Sequence, residues 1–140
     1  VDVVEDQYSL IHREAEQELF PYLRENNISF VPFFPLASGL LTGKYTKELS
    51  FPEGDIRSEN PDFKGERFER IIDKVNEVSK IAKTHDVSTA QLVLAWYMKN
   101  PDITVVIPGA KKAEQVASNA KAMQVILSND EYDKINAIFE

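Results

Sequence analysis

Lys111 and Lys112 stand next to each other directly after Val105-Val106-Ile107-Pro108-Gly109-Ala110, and Gln115 and Asn119 follow at one-turn spacing. A β-branched run from Thr104 to Ile107 that stops at Pro108-Gly109 and passes into a helical polar-apolar pattern reads as strand, tight turn, helix. Such a junction is a natural anion site. The helix N-terminus presents unpaired N–H donors and a partial positive charge, and the two lysines add two full charges. Gln115 and Asn119 lie four apart, so their amides share a helix face beside the anion and can hydrogen-bond a base edge. A phosphate next to a purine suggests a nucleotide, although many βα units carry a glycine turn and surface lysines without binding one.

Three βα alternations would position these residues. Val1 to Glu5 reads as a buried strand, and Asp6 to Leu10 as the turn after it. Arg13 to Asn26 is helical, with Pro21 predicting a kink or two short helices, the second opening at the proline. Ile28 to Phe33 is a second strand. The stretch from 45 to 64 loses periodicity and reads as a long irregular loop. Glu66 to His85 is the clearest helix, with Phe68, Ile71, Ile72, Val75, Val78, Ile81 and Ala82 as its apolar stripe. Ser88 and Gln91 form a capping-box pattern ahead of Ala90 to Lys99, with Trp96 read as core, and Ser128 and Glu131 form another ahead of a terminal helix carrying Tyr132, Ile135 and Ile138. The third strand spans 103–107. Parallel strands joined by helices point to an α/β fold.

Composition sets limits. The chain has 140 residues, 43% hydrophobic and 28% charged, which suits one globular domain. The net charge of −7 argues against general nucleic-acid or anionic-membrane binding and sets the lysine pair apart from its background. No run of 18 apolar residues appears. The absence of cysteine leaves no disulfide or thiol chemistry and suits a reducing cytoplasm, the expected location. His12 and His85, far apart in sequence and without acids at ligand spacing, read as surface histidines rather than metal ligands.

Ile107 to Lys112, with Gln115 and Asn119 after them, resembles the C-terminal cofactor segment of bacterial aldo-keto reductases, NADP-dependent (β/α)8-barrel oxidoreductases. Two further stretches carry the likeness: Val4-Glu5-Asp6-Gln7-Tyr8-Ser9-Leu10, and Val31 to Tyr45 with Pro35-Leu36-Ala37-Ser38-Gly39 and Thr42-Gly43-Lys44 inside it. The resemblance runs over the whole chain. A complete TIM barrel needs about 250 residues, so the chain is expected to be a fragment or truncation supplying roughly the last three βα units and a C-terminal helix, residues 1–140 forming the C-terminal part of a single barrel domain. The N-terminal half of the same barrel would be its required partner.

The resemblance implies a set of NADP(H)-binding residues. Glu5 takes the place of a glutamine that meets the nicotinamide carboxamide; with the register shifted by two, Gln7 would take it instead. A carboxylate accepts from the carboxamide NH2 but cannot donate to its oxygen, and it favours the positively charged oxidised ring. Phe33 takes the place of the aromatic stacked on the nicotinamide. Phe34, Pro35, Leu36, Ala37 and Ser38 would line the pyrophosphate, with Lys44 neutralising it. Loop 35–64 would cover the cofactor, Arg57 reaching the adenosine or its 2′-phosphate unless it is a solvated surface arginine. Gly109, Lys111, Lys112, Gln115, Ser118 and Asn119 complete the set. Cationic partners favour NADP over NAD.

The family's catalytic tyrosine, lysine, aspartate and histidine precede the matched region, so no catalytic residue is assigned and the chain alone is expected to be inactive. The expected reaction of the whole protein is reduction of an aldehyde or ketone, or oxidation of a polyol. A second reading is a cofactor-sensing regulatory subunit resembling potassium-channel β subunits; a third, an unrelated phosphate-binding half barrel, does not account for Phe33, Lys44 and the Gln115/Asn119 pair together.

Overall fold

A computed structural model describes residues 1–140. Two parallel strands, β1 (Val3–Gln7) and β2 (Ser29–Phe33), pair in register from Val3 with Ser29 to Gln7 with Phe33. Between them lie a 3-10 turn at Glu14–Glu16 and helix α1 (Leu19–Glu25). The helical stretch does divide in two. The second piece opens at Leu19 rather than at Pro21, which still falls in the first turn where a missing N–H costs little. Asn26 ends α1, and Asn27 takes a left-handed conformation (φ 54°) that lets the Ile28 amide donate to the Leu23 carbonyl at 2.9 Å.

Strand β1 begins and ends two residues later than its apolar pattern suggests, and Asp6 and Gln7 belong to it rather than to a turn. It is not buried: only Val4 is partly covered, and Val3 is 55% exposed. A parallel strand is buried when both its edges and both its faces have neighbours, and β1 has one partner strand.

Residues 103–107 do not form a regular strand. The segment meets β2 at one backbone hydrogen bond, the Thr104 amide donating to the Phe30 carbonyl at 3.0 Å. The return bond comes from a side chain: the Phe30 amide donates to Thr104 Oγ1 at 3.1 Å. A hydroxyl in place of a backbone carbonyl interrupts the ladder. Nor is there a hydrogen-bonded turn at Pro108-Gly109; residues 103–110 carry no regular structure, and Gly109 has no left-handed φ.

The remaining layer is helical. After α2 (Ile56–Glu59) come α3 (Gly65–Thr84), α4 (Thr89–Lys99), α5 (Ala113–Ala120) and α6 (Asn129–Phe139). All seven apolar residues of the α3 stripe are buried. Both predicted capping boxes form: Ser88 Oγ accepts from the Gln91 amide and Gln91 Oε1 from the Ser88 amide, and Ser128 and Glu131 repeat the pair. Trp96 is fully buried and stacks on Tyr132 at 5.6 Å. Tyr8, also fully buried, donates its hydroxyl to Glu16, while Arg13 bridges Glu16 to Asn136 of α6, tying the start of the chain to its end. Burial first, and the Glu16 carboxylate second, push the Tyr8 hydroxyl well above the usual tyrosine range. No helix is long and apolar enough to cross a membrane.

Candidate cofactor site

Strand alternation decides what β1 and β2 present. Phe30 and Pro32 turn toward the helices and are buried, so Val31 and Phe33 face the other way, and the register puts Glu5 beside Val31 and Gln7 beside Phe33. Glu5 and Gln7 therefore share the face of Phe33, with Glu5 about 6.6 Å deeper along the strand. Phe33 is partly exposed and meets Phe34 edge-on at 5.4 Å.

The chain leaving Phe33 is conformationally unusual. Phe34 (φ 54°), Ala37 (φ 50°), Ser38 (φ 56°) and Gly39 (φ 95°) all have positive φ, and a bulky residue such as Phe in that region is an outlier that surrounding structure must enforce. The winding leaves donors free. The amides of Ala37, Gly39 and Leu41 close turns onto Phe34 and Leu36, whereas those of Phe34, Leu36 and Ser38 donate to no protein acceptor. The segment is anchored from below by Tyr97, whose hydroxyl donates to the Pro35 carbonyl at 2.5 Å, and by buried Leu40 and Leu41. Gly43 (φ 77°) then turns the chain so closely against α4 that a Cβ would come within 2.7 Å of Thr89 Oγ1. Lys44 follows it, exposed and without an anionic partner, its Nζ 5.4 Å from the Tyr45 ring.

Residues 45–64 are not structureless. Asp55 caps α2 by accepting from the Arg57 amide at 2.9 Å, Asn60 caps a 3-10 turn at Pro61–Phe63, and Tyr45, Phe51, Phe63 and Phe68 pack as a chain of aromatic rings. Arg57 is far from a free surface side chain. Its Nε and Nη2 donate to the two oxygens of Asp55 at 2.9 and 2.5 Å, its Nη1 donates to Tyr45 Oη at 2.9 Å, and Phe51 covers its plane at 4.4 Å. The guanidinium beside Asp55 holds that carboxyl well below its usual range, at about 2.

At the other segment, Lys111 and Lys112 are exposed and unpaired. Their backbone amides both donate to Gln115 Oε1, at 2.6 and 3.1 Å, so that oxygen serves as a helix cap rather than facing a ligand. Ser118 is similarly occupied, its carbonyl and hydroxyl accepting from Gln91 Nε2 at 2.9 and 3.2 Å. Asn119 lines an apolar groove of about 450 Å³ between α4, α5 and residues 104–110, and Gly109 is exposed.

The histidines are placed differently from the sequence expectation. Each is partly buried and paired with one carboxylate at 2.5 Å, His12 with Asp62 and His85 with Glu131. Asp62 also holds Arg67 at 2.6 Å and fastens the far end of the 45–64 loop to the turn after β1. Sequence reading missed Tyr45, Asp55 and Asp62. The Asp-x-Arg spacing at 55–57 was a readable signal for a capping pair; nothing local marks Asp62 as the partner of a residue fifty positions away.

The aldo/keto reductase family model matches residues 1–140. Among curated relatives, the chain is 36% identical to aldo-keto reductase yakc [NADP(+)] of Schizosaccharomyces pombe and 31% identical to the NADH-specific methylglyoxal reductase of Escherichia coli, in each case over 92% of this chain and 39% of the relative. It is 37% identical to a probable voltage-gated potassium channel subunit beta of Oryza sativa subsp. japonica, over 99% of this chain and 44% of that protein. The chain thus spans about two fifths of the length of the relatives it matches. In three dimensions it is similar to glycerol dehydrogenase from Gluconobacter oxydans, with a TM-score of 0.89 at 26% identity, over 97% of this chain and 41% of that one. From its fold and the match along its full length, this chain belongs to the aldo/keto reductase family.

Proposed function

We propose that this chain is the cofactor-binding part of an NADP(H)-dependent oxidoreductase that reduces aldehydes or ketones to alcohols, or oxidises a polyol in reverse, inside the cytoplasm. The observation that carries the reading is a partly exposed Phe33 at the end of β2 followed by three uncommitted amides at Phe34, Leu36 and Ser38 and the unpaired Lys44, and two further unpaired lysines, Lys111 and Lys112, stand out on a chain of net charge −7. A flat ring, a pyrophosphate and a further phosphate match those three features in turn. When bound, the nicotinamide supplies the hydride. Phe33 would fix which face of it is open, and the amides and Lys44 would hold the pyrophosphate. Glu5, or Gln7 two residues further along the same face of β1, would accept from the nicotinamide carboxamide.

The lysine pair favours the 2′-phosphate form of the cofactor. Relatives named for NADP(+) and for NADH are both similar to this chain, so the titration below compares the two cofactors. The tetrad that completes the reaction is proposed to belong to the preceding part of the barrel, which makes this chain alone inactive. The likeness to a potassium channel β subunit supports a second reading, in which the bound cofactor is sensed rather than turned over. Fast turnover by a chain with the N-terminal half restored would count against it.

The test is a titration of the chain, and of a Lys111→Ala/Lys112→Ala variant, with NADPH and then NADH by fluorescence quenching. Micromolar NADPH binding, about tenfold weaker in the double variant and weak for NADH, is expected. A folded sample that binds neither nucleotide would refute the idea that this half holds the cofactor unaided, and the same titration would then be made on a chain with its N-terminal half restored.

A further inference from the structure

The sheet of this chain has two open edges, one on each side of β2. The Ser29 amide donates to the Asp2 carbonyl at 3.0 Å, whereas Phe30 exchanges its bonds with Thr104, and successive residues of a parallel strand point to opposite neighbours. The same alternation turns the backbone groups of Val3 and Glu5 away from β2, to an edge with no partner strand. On the other side, beyond Thr104, the amides of Val105, Val106, Ile107, Gly109 and Ala110 donate to no acceptor in the protein. Residues 105–110 also wall the apolar groove against α4 and α5, and Val105 and Ile107 are exposed. Free amides with apolar side chains beside them call for an extended, apolar partner that brings carbonyls.

Charge selects among such partners. Asp2, Glu5 and Asp6 are exposed along the β1 edge and join no ion pair, and Lys111 and Lys112, directly after the other edge, are exposed and equally unpaired. One molecule thus carries an acidic open edge and a basic one, each with exposed valine.

We propose that these edges bind a second copy of this chain: β1 of each copy pairs with residues 105–110 of the other, with Asp6 toward Lys111 and Lys112, in a twofold dimer that closes both edges at once. The dimer does not rest on the cofactor reading, and it is measured without nucleotide.

Two measurements on the 140-residue chain test it. In sedimentation equilibrium the mass is expected to rise with concentration from that of one chain to that of two, and to stop there. Asp6→Lys sets like charges against the lysine pair, and Lys111→Glu/Lys112→Glu sets them against Asp6. Each variant alone is expected to dimerise about tenfold more weakly, with helical circular dichroism retained. Mixed in equal amounts, the two variants form one contact of exchanged charge and one unaltered contact, so dimers return. A monomer at every concentration, growth beyond two copies, or a mixture that associates no better than its components would overturn the proposal. Hydrogen exchange then locates the contact. The amides of Val105, Val106 and Ile107 are expected to exchange about tenfold more slowly in the dimer than in the monomer. Unchanged exchange in a dimer would move the interface elsewhere, and protection in a sample that stays monomeric would mean that the edge folds back on its own chain; either result overturns the proposal.

Discussion

Gln7 and Phe33 lie directly opposite each other in the parallel pair, and Glu5 lies opposite Val31 on the same face. The two polar side chains of β1 that could meet a nicotinamide thus differ in depth, not in direction. If the deeper one meets the carboxamide, its charge matters for the redox state bound. Glu5→Gln is expected to weaken NADP+ relative to NADPH by about threefold to tenfold, while Gln7→Ala moves both by less than about twofold. Fluorescence titration with each redox form checks this, and a larger ratio change for the Gln7 variant would transfer the role.

Gly43 should tolerate nothing larger. Its φ of 77° disfavours any side chain, and an added Cβ would lie 2.7 Å from Thr89 Oγ1. Gly43→Ala is expected to cost about 1–3 kcal/mol in urea unfolding. Thr89→Ala in the same background removes the Oγ1 collision and restores part of that loss, leaving the cost of φ and the closer approach to the Cβ of residue 89 and to Ser79 Oγ. Full restoration would mean that backbone strain contributes nothing.

Gln115 is expected to act through the backbone. Losing the oxygen that both lysine amides share, Gln115→Ala should destabilise the start of α5 by about 0.5–2 kcal/mol and speed hydrogen exchange at the amides of Lys111 and Lys112. Gln115→Glu retains an acceptor and should keep those amides protected. Exchange rates that do not change in Gln115→Ala would remove the cap from the account.

The Glu131 carboxyl is held below its usual range, first by the Ser128 amide and then by His85. A carboxyl whose folded value is depressed stabilises the fold above its unfolded value, and that stability is lost as the pH falls through the folded value. The urea midpoint is therefore expected to decline on acidification below about pH 4.5, with Glu131→Gln less stable at neutral pH and showing a flatter decline. Equal slopes in the two proteins would exclude Glu131 as a contributor.

Leu92 is fully buried where α4 packs against its neighbours, so Leu92→Ala should cost about 2–5 kcal/mol by equilibrium urea unfolding. A loss below about 1 kcal/mol would indicate that the layer between α3 and α4 closes over the missing atoms.

What could be read in the sequence was local. The α3 stripe, the Ser88 and Ser128 capping boxes, the division of the helix around Pro21 and the aromatic end of β2 each depend on residues within a turn or two of one another, and each formed. The family likeness was legible for a similar reason: its motifs at residues 4–10, 31–45 and 107–119 are contiguous. Other features depended on atoms distant along the chain. Apolar alternation cannot tell a covered strand from one with a single neighbour, which is why β1 is more exposed than its valines suggest. Residues 103–107 have β-branched composition, but the hydroxyl of Thr104, not a carbonyl, answers Phe30. Gln115, read as a possible base contact, turned back to cap its own helix because two amides lay within its reach. Asp55, Tyr45 and Asp62 acquired their partners only when the loop folded. Side-chain types and their spacing therefore determined which chemistry this protein can offer, whereas tertiary packing decided which of those groups remain free to offer it, because a donor or charge already satisfied within the protein has little left to give a ligand.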